Sequence, residues 1–214
     1  DPSEMSGALV GAYNAFSTRG WEEPLLLAVR GDDVNAGGLG DQQPFADTDN
    51  FIYNNGYWMY NSLWNLHYSD IIDLNTAIVQ LERYREFMEG EDDLRAQQYI
   101  AEVRVLRAWL HLNVAKTWED VFIYRTNNPF EEIEANGVSS KEEVMQFIID
   151  EMDDAIPNLP NVRPNERTDF PGGVTAYTAY ALKAMANLEL ENYQGVADAA
   201  GEIINSGRFS LYPD

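Results

Sequence analysis

Apolar residues return every three or four positions along most of this chain, and that period commits it to helices. The cleanest run is Tyr99, Val103, Leu106, Leu110 and Val114, on a helix expected from about Leu94 to Trp118. A longer stretch, Trp58 to Phe87, carries Met59, Leu63, Leu66, Ile71, Leu74, Ile78 and Leu81. Gly90 and the acids Glu91, Asp92 and Asp93 separate the two, and the acids suit the start of the second helix. A first helix is expected from Pro2 to about Thr18, with Met5, Leu9, Tyr13 and Phe16 on its face and Gly20 as its stop. A short apolar stretch, Trp21 to Val29, follows it.

Later in the chain, Ser140-Lys141-Glu142-Glu143 fits a capping box and opens a helix through Val144, Phe147, Ile148, Met152 and Ile156 that Pro157 and Pro160 close. Two further helices are expected over about Val174–Glu191 and Tyr193–Asn205, with Gly207 as a C-terminal stop. The first is rich in alanine. Ala184 to Leu188, Tyr193 and Ala197 resemble the helix–turn–helix unit of tetratricopeptide repeats, where small residues let helices approach and an aromatic ring fills the gap. The fold class is therefore all-α, in antiparallel tetratricopeptide-like pairs with long irregular loops. Three stretches break the period: Arg30–Gly56, Thr126–Gly137 and Asn161–Gly173 read as loops, and Asp120–Arg125 as an extended connector or short strand.

With 14 Lys plus Arg against 36 Asp plus Glu, the net charge is −22. No basic stripe is present to neutralise phosphates, so nucleic acid and a polybasic membrane contact are excluded. Hydrophobic content of 45% supports a real core despite that charge. The only lysines are Lys116, Lys141 and Lys183; ordinary solubility and a saline habitat both account for this balance. There is no cysteine, hence no disulfide and no thiolate metal site. No apolar run reaches the roughly 18 residues a membrane span needs. Asp1 in place of an initiating Met reads as a start downstream of a processing site or leader.

Catalytic signatures are missing. Neither His67 nor His111 has a second His or a Cys at ligand spacing, and both read as packed residues. With so many acids, pairs of carboxylates carry no information about a glycosidase site. Asp32-Asp33, Asp41 and Asp47-Thr48-Asp49-Asn50 could offer oxygen ligands to calcium, but the EF-hand spacing is absent and a solvated loop is the default. No cofactor is expected. The aromatic cluster Tyr53, Tyr57, Trp58 and Tyr60, beside Asn54, Asn55 and Asn61, is more informative, because flat rings flanked by amides suit the C–H face and the hydroxyls of a sugar. Tyr60 reads as a core ring; Trp58 and Tyr57 fit core and stacking equally. The ligand-binding candidates are Trp58, Tyr57 and Tyr53 for stacking and Asp32 for polar contact. Arg104 and Arg107, three apart on one helix, read as structural.

Several segments resemble the SusD/RagB family, surface glycan-binding lipoproteins of Bacteroidota. Ala101-Glu102-Val103-Arg104-Val105-Leu106-Arg107-Ala108-Trp109 is similar to the pattern A-E-x-R-F-L-R-A-x. Trp118-Glu119-Asp120-Val121-Phe122 stands at the following Y-G-x-V-P turn, with Glu119 for its Gly and Phe122 for its Pro. Trp64, Tyr68, Ile71 and Asn75 match W-x-x-x-Y-x-x-I-x-x-x-N. Arg30–Val34 resembles the S-D-E segment, and Asp150, Ala155, Leu159 and Pro160 match D-L-x-x-A-x-x-x-L-P. Lys183–Leu188 and Ile203–Leu211 match A-L-x-A-x-x-x-L and I-x-S-G-x-Y-x-L. These matches fall in the family's order across almost the whole chain.

The resemblance implies a binding protein without catalysis, lipid-anchored through an upstream Cys on the outward face of the outer membrane. It implies a SusC-like TonB-dependent transporter as partner, to which oligosaccharides are delivered; a peptide-binding member of the family and a protein-binding helical scaffold are the alternatives. Family members are considerably longer, so residues 1–214 correspond to a single N-terminal helical region of such a protein, its C-terminal half absent.

Overall fold

The computed structural model describes residues 4–17, 28–31, 34–37 and 43–211. Among them the chain is all-α, as the periodicity predicts, with helices α1 (Met5–Ser17), α2 (Gln43–Asp49), α3 (Trp58–Arg85), α4 (Glu91–Trp118), α5 (Pro129–Asn136), α6 (Lys141–Ala155), α7 (Ala176–Glu189) and α8 (Tyr193–Asn205). Short 3-10 turns follow at Ile156–Asn158 and Pro164–Glu166. No described helix is long and apolar enough to cross a membrane. The chain divides into two compact units, Ala15–Asp70 and the remainder, with α3 contributing to both.

In the larger unit α4 is central. Its expected stripe is buried at Val103, Leu106, Leu110 and Val114, but so are Ala101, Glu102, Val105, Arg107, Ala108, His111, Leu112 and Ala115. A helix covered on nearly every side has neighbours all round it, which a one-stripe reading understates. α4 packs against α6, α6 against α7, and α7 against α8. Only Leu190–Asn192 join the last two, and a connection that short between packed helices makes them an antiparallel hairpin. At this crossing Gly195 faces the side chain of Asn187, leaving no room for a Cβ. Asn187 and Asn192 lock the turn: Asn192 Nδ2 donates to Asn187 Oδ1 (2.7 Å), and Asn192 Oδ1 accepts from Gly195 N (3.2 Å).

The helix ends follow local chemistry. Ser140 and Glu143 form the expected reciprocal capping box, Ser140 N donating to Glu143 Oε2 (2.8 Å) and Glu143 N to Ser140 Oγ (3.2 Å). Gly207 stands at φ 66° just past α8. Glu119, where the resembling pattern carries Gly, also adopts a positive φ of 70°, so the turn after α4 keeps the glycine-type backbone without the glycine.

Two of the expected loops contain helices. α2 lies within Arg30–Gly56; only Phe45 and Thr48 are buried on it, too few for a period to show. α5 lies within Thr126–Gly137, begins with Pro129 and is anchored by a polar residue, since buried Glu132 accepts from Arg125 N (2.9 Å) and Asn136 Nδ2 (3.0 Å). Asp120–Arg125 is an extended connector. It makes one antiparallel bridge, Val121 with Ser139, and no strand.

A buried ion pair ties α1 and α4 to the segment before α7. Arg167 Nη1 lies 2.8 Å from Glu102 Oε2, and both side chains are 0% exposed. The same oxygen accepts from Tyr13 Oη (2.6 Å), and Tyr13 Oη accepts from Val174 N (2.7 Å). Arg167 also donates to Val174 O (2.7 Å) and grips Asp169 through Nε and Nη2. Burial, and then the charge of Glu102, pushes the Tyr13 phenol well above its ordinary range. Hydrogen bonds from Arg167 hold Asp169 well below the usual carboxylate range, against partial burial.

Candidate aromatic binding surface

The candidate surface is built within the unit Ala15–Asp70. α2 ends in a Schellman-type turn: Phe51 N donates to Thr48 O (3.1 Å) and Ile52 N to Asp47 O (2.7 Å). Phe51 occupies the left-handed position at φ 57°, where glycine is usual. The turn leaves Phe51, Ile52 and Tyr53 exposed in succession. A second turn follows at Asn54-Asn55-Gly56-Tyr57, closed by Asn54 Oδ1 accepting from Gly56 N (2.8 Å) and Asn54 O from Tyr57 N (3.0 Å). It delivers the chain into α3, whose first residue is Trp58.

The rings are held from below. Tyr57 Oη donates to Asp47 Oδ2, while Gln43 Nε2 donates to Asp47 Oδ1 (2.7 Å). Thr48 Oγ1 donates to Pro44 O (2.7 Å) and so accepts from Tyr60 Oη. Tyr60 is the hub of the ring contacts, with Tyr57 stacked at 6.2 Å and Tyr53 edge-on at 6.5 Å. The Arg30 guanidinium stands 5.9 Å from the Tyr53 ring centre. The bonds from Tyr57, then Gln43, hold the Asp47 carboxyl below its ordinary range.

The sequence candidates separate on this frame. Trp58 is 55% exposed and Tyr53 52%, so both rings present a face to solvent. Tyr57 is half-buried and braces the loop through Asp47. Tyr60 is also half-buried and closes the ring cluster from inside, near the core role expected of it. Asp32, with Asp33 and Asp41, lies outside the described residues. Both Asp47 oxygens serve internal donors, and among the described residues no group of three His, Cys, Asp or Glu is arranged to hold a metal. Phe51 and Ile52 were not among the candidates. Nothing marked them beforehand, because their exposure comes from a left-handed turn at a residue that does not favour one.

A second concavity, about 800 Å3, lies in the larger unit and is lined in part by Asn75, Arg104, Arg107, Arg125, Phe147 and Glu151. Much of its floor is bonded within the fold, while the Nε of Arg104 and of Arg107 is buried without a hydrogen-bond partner among the described residues. Arg107 donates to Asn75 Oδ1 (2.6 Å), Arg125 O (3.0 Å) and Glu151, and Asn75 Nδ2 donates to Tyr124 O (3.0 Å) and Thr126 O (2.7 Å). Arg104 pairs with Asp154 at 3.1 Å. Both arginines thus tie elements of the fold together. His111 is structural too: Nε2 accepts from Tyr124 N (3.2 Å), so Nδ1 donates to Arg107 O (2.9 Å) in a neutral ring. Burial pushes its pKa down to about 3.

Comparison with known proteins agrees with this architecture. Residues 38–186 match the family model for SusD-like proteins, described as starch-binding and associating with the outer membrane. A SusD-like protein, P25, from Formosa agariphila is 23% identical over 142 residues, 65% of this chain and 26% of that protein. Surface glycan-binding protein A from Bacteroides uniformis superposes with a TM-score of 0.81 at 22% identity, covering 100% of this chain and 48% of that one. Surface glycan-binding protein A from Bacteroides thetaiotaomicron, solved in complex with laminarihexaose, superposes at 0.78 with 22% identity, covering 99% and 44%. The chain therefore spans less than half the length of these structures. Because the family model matches well over half of the chain and the helical pairs superpose on such proteins throughout, the chain belongs to the SusD-like family.

Proposed function

We propose that this chain captures oligosaccharides on the surface formed by Tyr53, Tyr57 and Trp58, as the non-catalytic binding partner of a SusC-like TonB-dependent transporter on the outward face of the outer membrane, held there by a lipid anchor. The observation that carries this reading is the pair of half-exposed rings, Trp58 and Tyr53, on a frame fixed by the Tyr57–Asp47 and Tyr60–Thr48 bonds. Rigid rings bind sugars at low entropic cost, because little side-chain freedom remains to be lost. Exposed Asn54, Asn55 and Asn61 stand beside them in sequence with amides suited to sugar hydroxyls. The described family as starch-binding, and the relative solved with laminarihexaose, support a glycan as cargo.

Intrinsic tryptophan fluorescence titrated with laminari- and maltohexaose tests it. Trp58→Ala is expected to weaken binding at least tenfold while leaving the unfolding midpoint in place. Unchanged affinity in that variant would remove this surface from the binding site. Co-purification with the transporter tests the partner separately.

A further inference from the structure

We propose that the concavity of about 800 Å3 in the larger unit is a second binding site, and that it takes a small zwitterion, a ligand with both a carboxylate and an ammonium group, as a short peptide with free ends has. Every residue that lines it belongs to that unit, and the proposal is independent of the aromatic surface.

The donors for a carboxylate come from three arginines, Arg104 and Arg107 on α4 and Arg125 on the connector after it. Each keeps N–H groups that the fold does not use. The Nε of Arg104 and of Arg107 is buried with no hydrogen-bond partner among the described residues. A buried donor left unpaired is costly, and an acceptor that a ligand brings offsets that cost. The Arg125 side chain is 48% exposed and forms no hydrogen bond among the described residues. Its guanidinium lies against the Phe147 ring, 5.0 Å from the centre. The carboxylate paired with it, Glu132, stands 3.9 Å away and already accepts from Arg125 N and Asn136 Nδ2. A guanidinium laid on a ring keeps its N–H edge for another group, and that edge matches the two oxygens of a carboxylate.

The acceptors for an ammonium group line the same concavity. Glu82, Glu143 and Asp150 are all exposed there. Glu143 gives one oxygen to Ser140 N and Asp150 one to Gln146 Nε2, whereas Glu82 has no hydrogen bond or ion pair among the described residues. Asn75, Ile78, Val79 and Glu82 follow the i, i+3, i+4, i+7 spacing, so one face of α3 brings Glu82 to this wall. Glu151, the remaining acid of the lining, is taken by Arg107.

This mixture decides the ligand class. A plain anion that reaches the arginines also meets four carboxylates, and a plain cation that reaches the carboxylates also meets three arginines. A ligand with both signs answers both sets. A sugar finds no ring to stack on, because Phe147 is 8% exposed and is covered by the guanidinium groups of Arg107 and Arg125 and by the edge contact of His111. The volume lies within the roughly 300–1,000 Å3 of small-ligand sites. The assignment is therefore carboxylate to Arg125 and ammonium to Glu82.

The test is saturation-transfer NMR and calorimetric titration of the chain with triglycine, trialanine and Gly-Phe-Gly, each with free ends, N-acetylated and C-amidated. We expect at least one free tripeptide to bind, and to bind at least tenfold more weakly once either end is blocked. Arg125→Gln spares the fold, because Arg125 bonds Glu132 and Arg107 through its backbone. That variant should weaken the free tripeptide at least tenfold and change the amidated one, which has no carboxylate, less than twofold. Glu82→Gln should weaken the free tripeptide likewise and spare the acetylated one. Both variants should keep the unfolding midpoint seen by circular dichroism. Binding of none of the tripeptides, binding that survives the blocking of either end, or binding indifferent to Arg125→Gln overturns the proposal. An acetylated tripeptide that binds as tightly as the free one makes this a site for plain carboxylates and overturns the zwitterion class.

Discussion

Arg167 is the residue whose removal should be most costly to the larger unit. It and Glu102 are paired at 2.8 Å with neither side chain reaching solvent. In Arg167→Met the Glu102 carboxylate would keep Tyr13 Oη on Oε2 and Gln98 Nε2 on Oε1, but lose the one cation paired with it among the described residues. Breaking a buried pair from one side costs about 3–5 kcal/mol, because the surviving charge stays desolvated. The carbonyl of Val174 also loses a donor, worth about 1 kcal/mol. A loss of roughly 4 kcal/mol is a large part of the 5–15 kcal/mol typical of a domain. It should be read from urea unfolding by circular dichroism at low temperature, where the variant still folds. Glu102→Leu combined with Arg167→Met removes both charges, and the pair should be destabilised less than the two single losses summed, by about 2 kcal/mol or more. A loss under about 1 kcal/mol in Arg167→Met, or single effects that add to within about 0.5 kcal/mol, would refute the assignment.

Three further outcomes follow from named contacts. His111 is neutral and buried with a pKa of about 3, whereas in the unfolded chain it protonates near 6.5; the unfolded state therefore binds the extra proton between those values, and stability falls as pH is lowered through that window. Between pH 7 and 5 this group alone should remove about 2 kcal/mol, a slope that His111→Gln abolishes in parallel denaturation curves. Gly195→Ala forces a Cβ into Asn187 at the α7–α8 crossing and should cost about 1–3 kcal/mol, measured as a lower thermal midpoint. Phe51→Gly relieves a left-handed residue and should stabilise Ala15–Asp70 by about 1 kcal/mol, seen as slower hydrogen exchange there, while weakening oligosaccharide binding.

What could be read from the sequence was whatever repeats or sits close along the chain. α8 was anticipated at Tyr193–Asn205, and α3 and α4 nearly to their ends, because apolar periods and caps announce them locally. α2 and α5 leave no period in the sequence, since one is anchored by two side chains and the other by a carboxylate. Glu102 passed for one more acid among 36. Its partners Tyr13 and Arg167 lie 89 residues before it and 65 after it, and only the folded chain brings them together.

The same distinction explains why the aromatic surface was half visible. Tyr53, Tyr57 and Trp58 stand within six residues, so their clustering was legible, and with it the idea of a stacking site. Whether those rings faced inward was not, because that depends on a hydrogen bond from Tyr57 to Asp47 ten residues back and on a left-handed phenylalanine. The acids of this stretch could offer oxygen ligands to calcium, but without EF-hand spacing they read by default as a solvated loop. With Asp47 bonded to Tyr57 and Gln43, that aspartate becomes part of the support beneath the rings.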